Sequence, residues 1–434
     1  MTGSVGISPR KAALQILRQV RDGQPFEMAL SGGVGQLPEP DRRLAHELAA
    51  GVLRQRSTLD RQLAPLIPRG WAAVAADLQD ILRLGAYQLT ELERIPAHAA
   101  VDTSVALAKR AGGTRAAGFV NAVLRRLTRS APNPEPLAMA APDALAAEYS
   151  HPPWLVYRWV HAFGLDQTKA LLQWNNTRPR LVAQAAREEL DALEARWRAV
   201  GISVHPAPHG AGLILDRLRP AEVPGYREGL FIIQDPAQAL LARFVDPPPH
   251  ATIYDACAAP GGKTVALGRR AGRIVAGEIN PTRARRLAEN LARAGTGREH
   301  VVIADARNPP VRGADIVLLD APCLGTGTFA RHPDARWRVS MEALAKIQRL
   351  QAVLLDTTAR ALEPGGLLVY STCSLEPEEN QRQIEAFLRR HPEFRRDPVS
   401  SVEPALLSPE GDLTTLPQLH GMDGAYAARL RRTA

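Results

Sequence analysis

The sequence predicts an α/β protein in which a mostly parallel, helix-covered sheet fills the C-terminal part, preceded by an all-α region and a small α/β module. Three observations predict it. Residues 1 to about 130 place apolar side chains at helical spacing with almost no strand pattern, short apolar runs alternate with helical stretches after Pro249, and about ninety residues of mixed pattern lie between. At roughly 150 residues per domain, the 434 residues lead to an expectation of about three domains. We draw them at 1–145, 146–246 and 247–434.

In the first of these, Ser8 and Pro9 suit the cap and first position of a helix. Ala12, Ala13, Ile16, Leu17 and Val20 supply its apolar stripe, and Gly23 follows its end. The segment AGFVNAVLRRLTR sets Phe119, Val120, Val123, Leu124 and Leu127 against Asn121, Arg125, Arg126 and Arg129, an amphipathic helix with a basic face. No acid stands between Asp102 and Glu135, whereas Lys109, Arg110, Arg115, Arg125, Arg126 and Arg129 do. A solvated face explains any one such run as well as a ligand does; its acid-free length favours RNA.

Six prolines between Ser130 and Pro153 disfavour continuous helix and read as a linker, and DPPPH at Asp246–His250 reads as a second boundary. Between them, LVAQAA, a helix over Leu190–Val200, ISVHPAP and GLILD form the small module. The last region then runs TIYDA, a helix from Lys263, RIVAGEI, a helix from Pro281, HVVIADA, DIVLLDAP, a long helix over Met341–Leu362, LLVYSTCS and a helix from Pro377. Ligands of such sheets bind beyond the carboxyl ends of the strands. Chemistry is therefore expected just after Ala256, Glu278, Asp305, Asp320 and Tyr370.

Composition excludes several classes. With 45% hydrophobic and 23% charged residues the chain resembles no disordered tail, collagen or disulfide scaffold. The net charge of +9 favours an anionic partner such as nucleic acid. Only five of the 54 cations are lysine, so arginine dominates; most surface arginines fit a compositional bias. The three cysteines are widely spaced, with no CxxC pair and no zinc-ligand spacing, so neither disulfides nor a metal site are expected. The N-terminus lacks the apolar segment of a signal peptide and no run of 18 apolar residues occurs, which makes the cytoplasm the expected location.

The loop DACAAPGGKT (Asp255–Thr264) is not a phosphate-binding P-loop, because Cys257 stands where that motif needs its first glycine, and it is not GxGxxG. What remains is a small-residue turn that lets the backbone approach a ligand. Glu278 ends the second strand, where a carboxylate accepts from both ribose hydroxyls, and Asp305 ends the third, where it can accept from the adenine amine. Each acid alone reads equally well as a helix cap or surface charge; three in register favour an adenosyl ligand. Cys323 in DAPCLGTG and Cys373 in YSTCS both fall at the active edge of the sheet, in turns. Cys257 reads as a small buried hydrophobe, and a redox pair of Cys323 with Cys373 lacks any CxxC-like support.

The stretches DACAAPGGKT, DAPCLGTGTFARHPDARW, ALEPGGLLVYSTCSLEPEEN and HGMDGAYAARL resemble the S-adenosylmethionine-dependent RNA cytosine-5 methyltransferases, specifically the bacterial 16S rRNA enzymes of the RsmB (Sun/Fmu) type. GLFIIQDPAQ resembles the family's entry segment, and residues 1–130, with GFVNAVLRRL, look like its NusB-type RNA-binding domain. The resemblance covers nearly the whole chain and is weakest over Arg178–Leu218, where LVAQAAR replaces a TLRVN-like strand. DGAYAA also departs from the usual DGFFxA at Ala425, which implies altered packing near the pocket. The implied fold is an S-adenosylmethionine-dependent Rossmann-like methyltransferase sheet preceded by an all-α NusB-like domain and a small α/β linker module.

The resemblance also implies roles. Cytosine C5 is a poor nucleophile until a thiolate adds at C6. By similarity Cys373 is that nucleophile, Cys323 the second thiol needed for product release, and Asp320 the group holding the cytosine edge, with Pro322 shaping the loop. Cys257, Ala258, Ala259, Pro260, Gly261, Gly262, Lys263, Glu278, Asp305 and Asp320 would hold the cofactor, and Lys263 with the bound sulfonium would raise the potential at Cys373. Arg125, Arg126 and Arg129 would contact RNA, with a loop cytosine of small-subunit rRNA as target. The rivals are a tRNA cytosine-5 methyltransferase, a DNA cytosine-5 enzyme, which would need only the Pro-Cys thiol, and an inert RNA-binding assembly or antitermination factor. An aminomethyltransferase would show NPPY or DPPY at DAPC.

Overall fold

The computed structural model describes residues 7–35, 37–129, 141–215 and 219–433. They fall into two compact units, 1–177 with 329–338, and 178–328 with 339–434.

Among the described residues the first unit holds helices and no strand: α1 Ile7–Arg21, α2 Phe26–Gly33, α3 Glu39–Arg54, α4 Arg56–Leu63, α5 Ala76–Glu91, α6 Ala97–Leu127, α7 Ala141–Glu148, α8 Pro153–Phe163 and α9 Leu165–Asn175. Its core joins Ile16, Leu48, Leu82 and Leu124 from α1, α3, α5 and α6. Ser8 lies inside the first turn of α1 instead of capping it. The backbone of α6 breaks helical geometry at Gly112 and Gly113, so the basic segment is a separate rod beyond a kink. On that rod Val120, Val123 and Leu124 are buried, while Arg115, Arg125, Arg126 and Arg129 are exposed, as are Lys109 and Arg110 before the kink. Of the linker expected over Ser130–Pro153, residues 130–140 lie outside the described residues. The remainder is α7 and the turn into α8, because Pro142 and Pro153 occupy first-turn positions that need no amide donor.

The short segment 329–338 belongs to this helical unit although its chain neighbours belong to the other. Arg336 is completely buried, and its guanidinium donates to the carbonyls of Asn175 at 2.7 Å and of Arg54 and Phe329 at 3.3 Å, and to Asn176 Oδ1 at 2.7 Å. Burial lowers its pKa to about 9. Trp337 Nε1 donates to the Leu53 carbonyl at 2.8 Å, and Asp334 accepts from Phe26 N at 3.2 Å.

The second unit begins with β1 Leu181–Ala185, α10 Leu190–Ala199, β2 Val204–Pro206, β3 Leu213–Leu215 and β4 Phe231–Ile233, an antiparallel sheet in the order β2-β3-β1-β4. There follow α11 Pro236–Val245, β5 Thr252–Asp255, α12 Gly262–Gly268, β6 Arg273–Glu278, α13 Pro281–Ala294, β7 Glu299–Ile303, β8 Ala314–Asp320, α14 Met341–Thr358 and β9 Leu362–Thr372. The unit ends with α15 Gln381–Arg390, β10 Phe394–Arg396, β11 Leu413–Thr415, α16 Pro417–His420 and β12 Ala425–Arg432. These later strands form one sheet in the order β10-β12-β9-β8-β5-β6-β7, with β11 added against β12. The five strands from β9 to β7 are parallel, and β12 runs antiparallel to its neighbours. Two expectations shift. The long helix stops at Thr358 and Leu362 already belongs to a strand, since Pro364 disfavours helix just before it. The last predicted helix starts at Gln381, the residues from Pro377 to Asn380 forming a turn.

Candidate active site

The sheet order puts β6 on one side of β5 and β8 on the other, so successive crossovers diverge there and leave a crevice beyond the carboxyl ends of β5 and β8. Asp255 ends β5 and is 1% exposed. Its Oδ2 accepts from Thr264 Oγ1 at 2.7 Å, whereas its Oδ1 is buried with no hydrogen-bond partner among the described residues. Burial pushes this carboxyl up to about 7, with Asp320 adding to the rise and Thr264 opposing it. The small-residue turn then reverses the chain through Gly261 at φ +106°, a left-handed conformation that favours glycine. Asn290 Nδ2 holds the Pro260 carbonyl at 2.8 Å and Arg283 the Ala259 carbonyl at 3.1 Å. A cavity of about 310 Å³ borders the turn, lined by Ile232, Gln234, Asp255, Cys257, Gly262 and Asp320 among others.

The other expected cofactor acids sit at the neighbouring strand ends. Glu278 closes β6, 3% exposed, its carboxylate accepting from Asn280 N at 2.9 Å and pairing with Arg283 at 3.3 Å. Asp305 lies two residues past the end of β7, and its carboxylate is gripped by Arg307 at 2.6 Å, which holds it below the usual carboxylate range. A ligand amine at Asp305 must share that carboxylate with Arg307.

Lys263, in the first turn of α12, donates Nζ to Asp320 Oδ2 at 2.6 Å, and Ser371 Oγ donates to Asp320 Oδ1 at 2.8 Å. The lysine expected to act on Cys373 is therefore engaged by Asp320, whose two oxygens are fixed by β9 and α12. The loops after β8 and β9 are laced together: Gly327 N donates to the Cys373 carbonyl at 3.0 Å, Leu375 N to Thr326 Oγ1 at 2.8 Å, and Ala321 N to the Ser371 carbonyl at 2.8 Å. This lacing brings Cys323 Sγ to 3.3 Å from Cys373 Sγ, although the two are fifty residues apart in sequence. The hydrogen bond to Cys373, then burial, push the Cys323 thiol well up. Either sulfur can be the donor of the pair. Cys257 packs on the sheet core with its thiol pushed up to about 12 by burial, an inert position.

The tertiary structure thus gathers Cys323, Cys373, Asp320 and Lys263, places the glycine turn, Glu278 and Asp305 along the same strand ends, and leaves Arg125, Arg126 and Arg129 in the helical unit. Sequence reading overlooked Asp255 and Ser371. Asp255 stands first in a motif it did single out, nine residues before Thr264, but nothing short of the fold shows its second oxygen unpartnered.

Three family patterns match consecutive parts of the chain: the NusB family over residues 7–129, the ferredoxin-like domain of RsmF/B-like methyltransferases over 151–222, and the 16S rRNA methyltransferase RsmB/F over 242–431. The probable ribosomal RNA small subunit methyltransferase B of Synechocystis sp. is 34% identical over 98% of this chain and 100% of its own length. The chain belongs to the RsmB/F family of 16S rRNA methyltransferases. The ribosomal RNA small subunit methyltransferase B of Thermus thermophilus is likewise 35% identical, over 98% of both chains. Among solved structures, that of PH0851 shares the fold with a TM-score of 0.82 over 99% of both chains at 24% identity. A methyltransferase homolog protein from Pyrococcus horikoshii, 27% identical, aligns over 68% of this chain and 100% of its own with a TM-score of 0.59.

Like the rest of the RsmB/F family, the chain is an S-adenosylmethionine-dependent RNA methyltransferase, and its site fits that cofactor. The unpartnered Asp255 Oδ1 is a buried acceptor suited to the cofactor's ammonium group. A Cβ at position 262 would come within 2.7 Å of Gln234 Nε2, so glycine here lets the Gln234 side chain lie against the turn. Ile279 and Ile303, 56% and 65% exposed beside Glu278 and Asp305, offer apolar faces for an adenine ring.

Proposed function

We propose that this chain methylates C5 of a cytosine in RNA, a loop cytosine of small-subunit rRNA, through a covalent bond between Cys373 and C6. The observation that carries the reading is the pair of thiols 3.3 Å apart at the ends of β8 and β9, next to the Lys263–Asp320 ion pair. Asp320, held by Lys263 and Ser371, receives the N3/N4 edge of an extruded base. Cys373, as thiolate, adds to C6 and the displaced electron pair makes C5 nucleophilic. S-adenosylmethionine, held by the turn from Cys257 to Lys263 with Asp255, Glu278 and Asp305, supplies the electrophilic methyl group. Cys323 as thiolate, or a base beside it, then takes the C5 proton. The C5–C6 double bond re-forms and the C6–S pair returns to Cys373.

The domain roles are part of this proposal: residues 1–145 bind RNA through Arg125, Arg126 and Arg129, 146–246 connect, and 247–434 catalyse, in the cytoplasm. The relatives' names, which specify the small ribosomal subunit, support that substrate. Among the described residues no helix is long and apolar enough to cross a membrane.

The test is a denaturing gel of enzyme with unmethylated 16S rRNA and S-adenosylmethionine. Cys373→Ala should abolish methyl transfer, and Cys323→Ala should accumulate a protein–RNA adduct. The adduct appearing with Cys373→Ala instead would reverse the two roles. Bisulfite mapping of 5-methylcytosine in cells with and without the protein then identifies the RNA; loss at tRNA positions would favour the tRNA enzyme, and loss nowhere an inert factor.

A further inference from the structure

Glu379, in the turn between β9 and α15, is completely buried, and among the described residues no cation pairs with it. Both of its carboxylate oxygens accept from one backbone donor, Leu324 N, at 3.0 Å, and the Ser374 and Gln351 side chains also hydrogen-bond to the carboxylate. Leu324 is the residue after Cys323. The residue before it, Pro322, is held as well: its carbonyl accepts from Gln351 Nε2 at 3.0 Å, and Gln351 is also completely buried. Cys323 is therefore clamped at both flanking peptides by buried polar side chains from outside its own loop. The turn that carries Glu379 is itself fixed to β9. Tyr370 Oη donates to the Glu379 carbonyl at 2.7 Å, and Thr372 Oγ1 and Asn380 Oδ1 are 2.6 Å apart. A carboxyl in such a place is costly: burial pushes it up to about 7, with Leu324, Ser374 and Gln351 holding it partly in the charged form. A fold that needed only an apolar plug here would not retain an acid, and buried perturbed acids cluster at functional sites.

We propose that Glu379 is a positioning residue for product release, gripping the Leu324 amide so that the Cys323 thiol stays seated against Cys373. The inference rests on the reading above, in which Cys373 forms the adduct and Cys323 resolves it. Without the grip the Cys323 loop loosens. Attack by Cys373 and methyl uptake proceed, but loss of the C5 proton and departure of the Cys373 sulfur slow.

The experiment compares the full-length protein with Glu379→Ala, Glu379→Gln, Cys323→Ala and Cys373→Ala. Each is incubated with an unmethylated 16S rRNA transcript and methyl-labelled S-adenosylmethionine, and cofactor affinity is measured in parallel. Glu379→Ala should bind cofactor like the parent and turn over on the order of ten- to a hundredfold more slowly, the scale of one hydrogen bond to a charged group. It should also accumulate adduct toward the level of Cys323→Ala. Glu379→Gln, which keeps an acceptor oxygen for Leu324, should recover most of the turnover and show less adduct. Parental turnover in Glu379→Ala overturns the inference. So does loss of methyl transfer and adduct together, which marks a merely structural residue; if the alanine variant fails to fold, adduct in Glu379→Gln above the parental level supports the inference and adduct equal to the parent's overturns it. An absence of adduct in Cys323→Ala while the parent methylates overturns the covalent reading itself, and that failure is read from its own lane.

Discussion

A buried carboxyl with one unpartnered oxygen, such as Asp255, costs free energy until a ligand completes it. Its pKa is about 7 in the fold and near 4 in an unfolded chain. The folded state therefore holds the proton more tightly. That contribution to stability is complete below about pH 4 and is lost as pH rises through 7. Asp255→Asn should stabilise the ligand-free protein at pH 8 by about 1–3 kcal/mol and do much less at pH 5, as thermal unfolding at the two pH values would reveal. The same substitution should weaken S-adenosylmethionine binding about tenfold or more by calorimetry, since it removes the acceptor's charge. Affinity equal to the parent would remove Asp255 from the cofactor site. Arg336 is a buried cation whose two terminal guanidinium nitrogens donate to carbonyl oxygens. Arg336→Ala should lower stability by about 3–5 kcal/mol in a thermal melt, because a large buried side chain and several hydrogen bonds go together.

At the scale of elements, the reactive loops depend on a backbone crossing. Gly327 donates to the Cys373 carbonyl and accepts from Gly424 N at 2.9 Å. A side chain at position 327 would lie 2.7 Å from Gly424 Cα and 2.9 Å from the Cys373 carbonyl oxygen, backbone atoms that cannot swing aside. Gly327→Ala should cost about 1–3 kcal/mol of stability and abolish adduct formation, because it pries the β8 loop from the β9 loop. Adduct at the parental level in that variant would show that the crossing does not set the thiol pair. The departure at Ala425 is accommodated at the same place. Ala425 is buried at the start of β12, paired with Thr415, and leaves the Gly424–Gly327 hydrogen bond intact.

At the scale of the whole molecule, charge is concentrated where RNA binding is proposed. Residues 1–145 hold 18 Lys+Arg and 13 Asp+Glu, a difference of +5 out of the total +9. RNA affinity should fall steeply with salt, and replacing Arg125, Arg126 and Arg129 with glutamine should reduce the log–log salt slope by about 2, at roughly 0.7 for each phosphate no longer neutralised. An unchanged slope, measured by filter binding across a several-fold range of salt, would take those arginines out of the interface. Deleting residues 1–130 is a poorer test than it looks from sequence. It removes the Leu53 and Arg54 carbonyls that hold Trp337 and Arg336, and so leaves buried polar groups unsatisfied.

The sequence by itself determined the class of the protein, the strand–helix alternation, the small-residue turn after β5, and the two cysteines on which the proposed chemistry rests. Each of these is a local matter of spacing, turn chemistry and residue type, and the motif stretches are long enough to be specific. It could not determine which partner each polar group takes. That Lys263 serves Asp320, that Asp255 keeps an empty acceptor, that Glu379 and Gln351 bracket Cys323, and that residues 329–338 belong to the helical unit are matters of packing across sequence separations from tens to hundreds of residues. Only the tertiary structure decides them, because a buried polar group is satisfied by whatever the packing of the whole chain brings within about 3 Å.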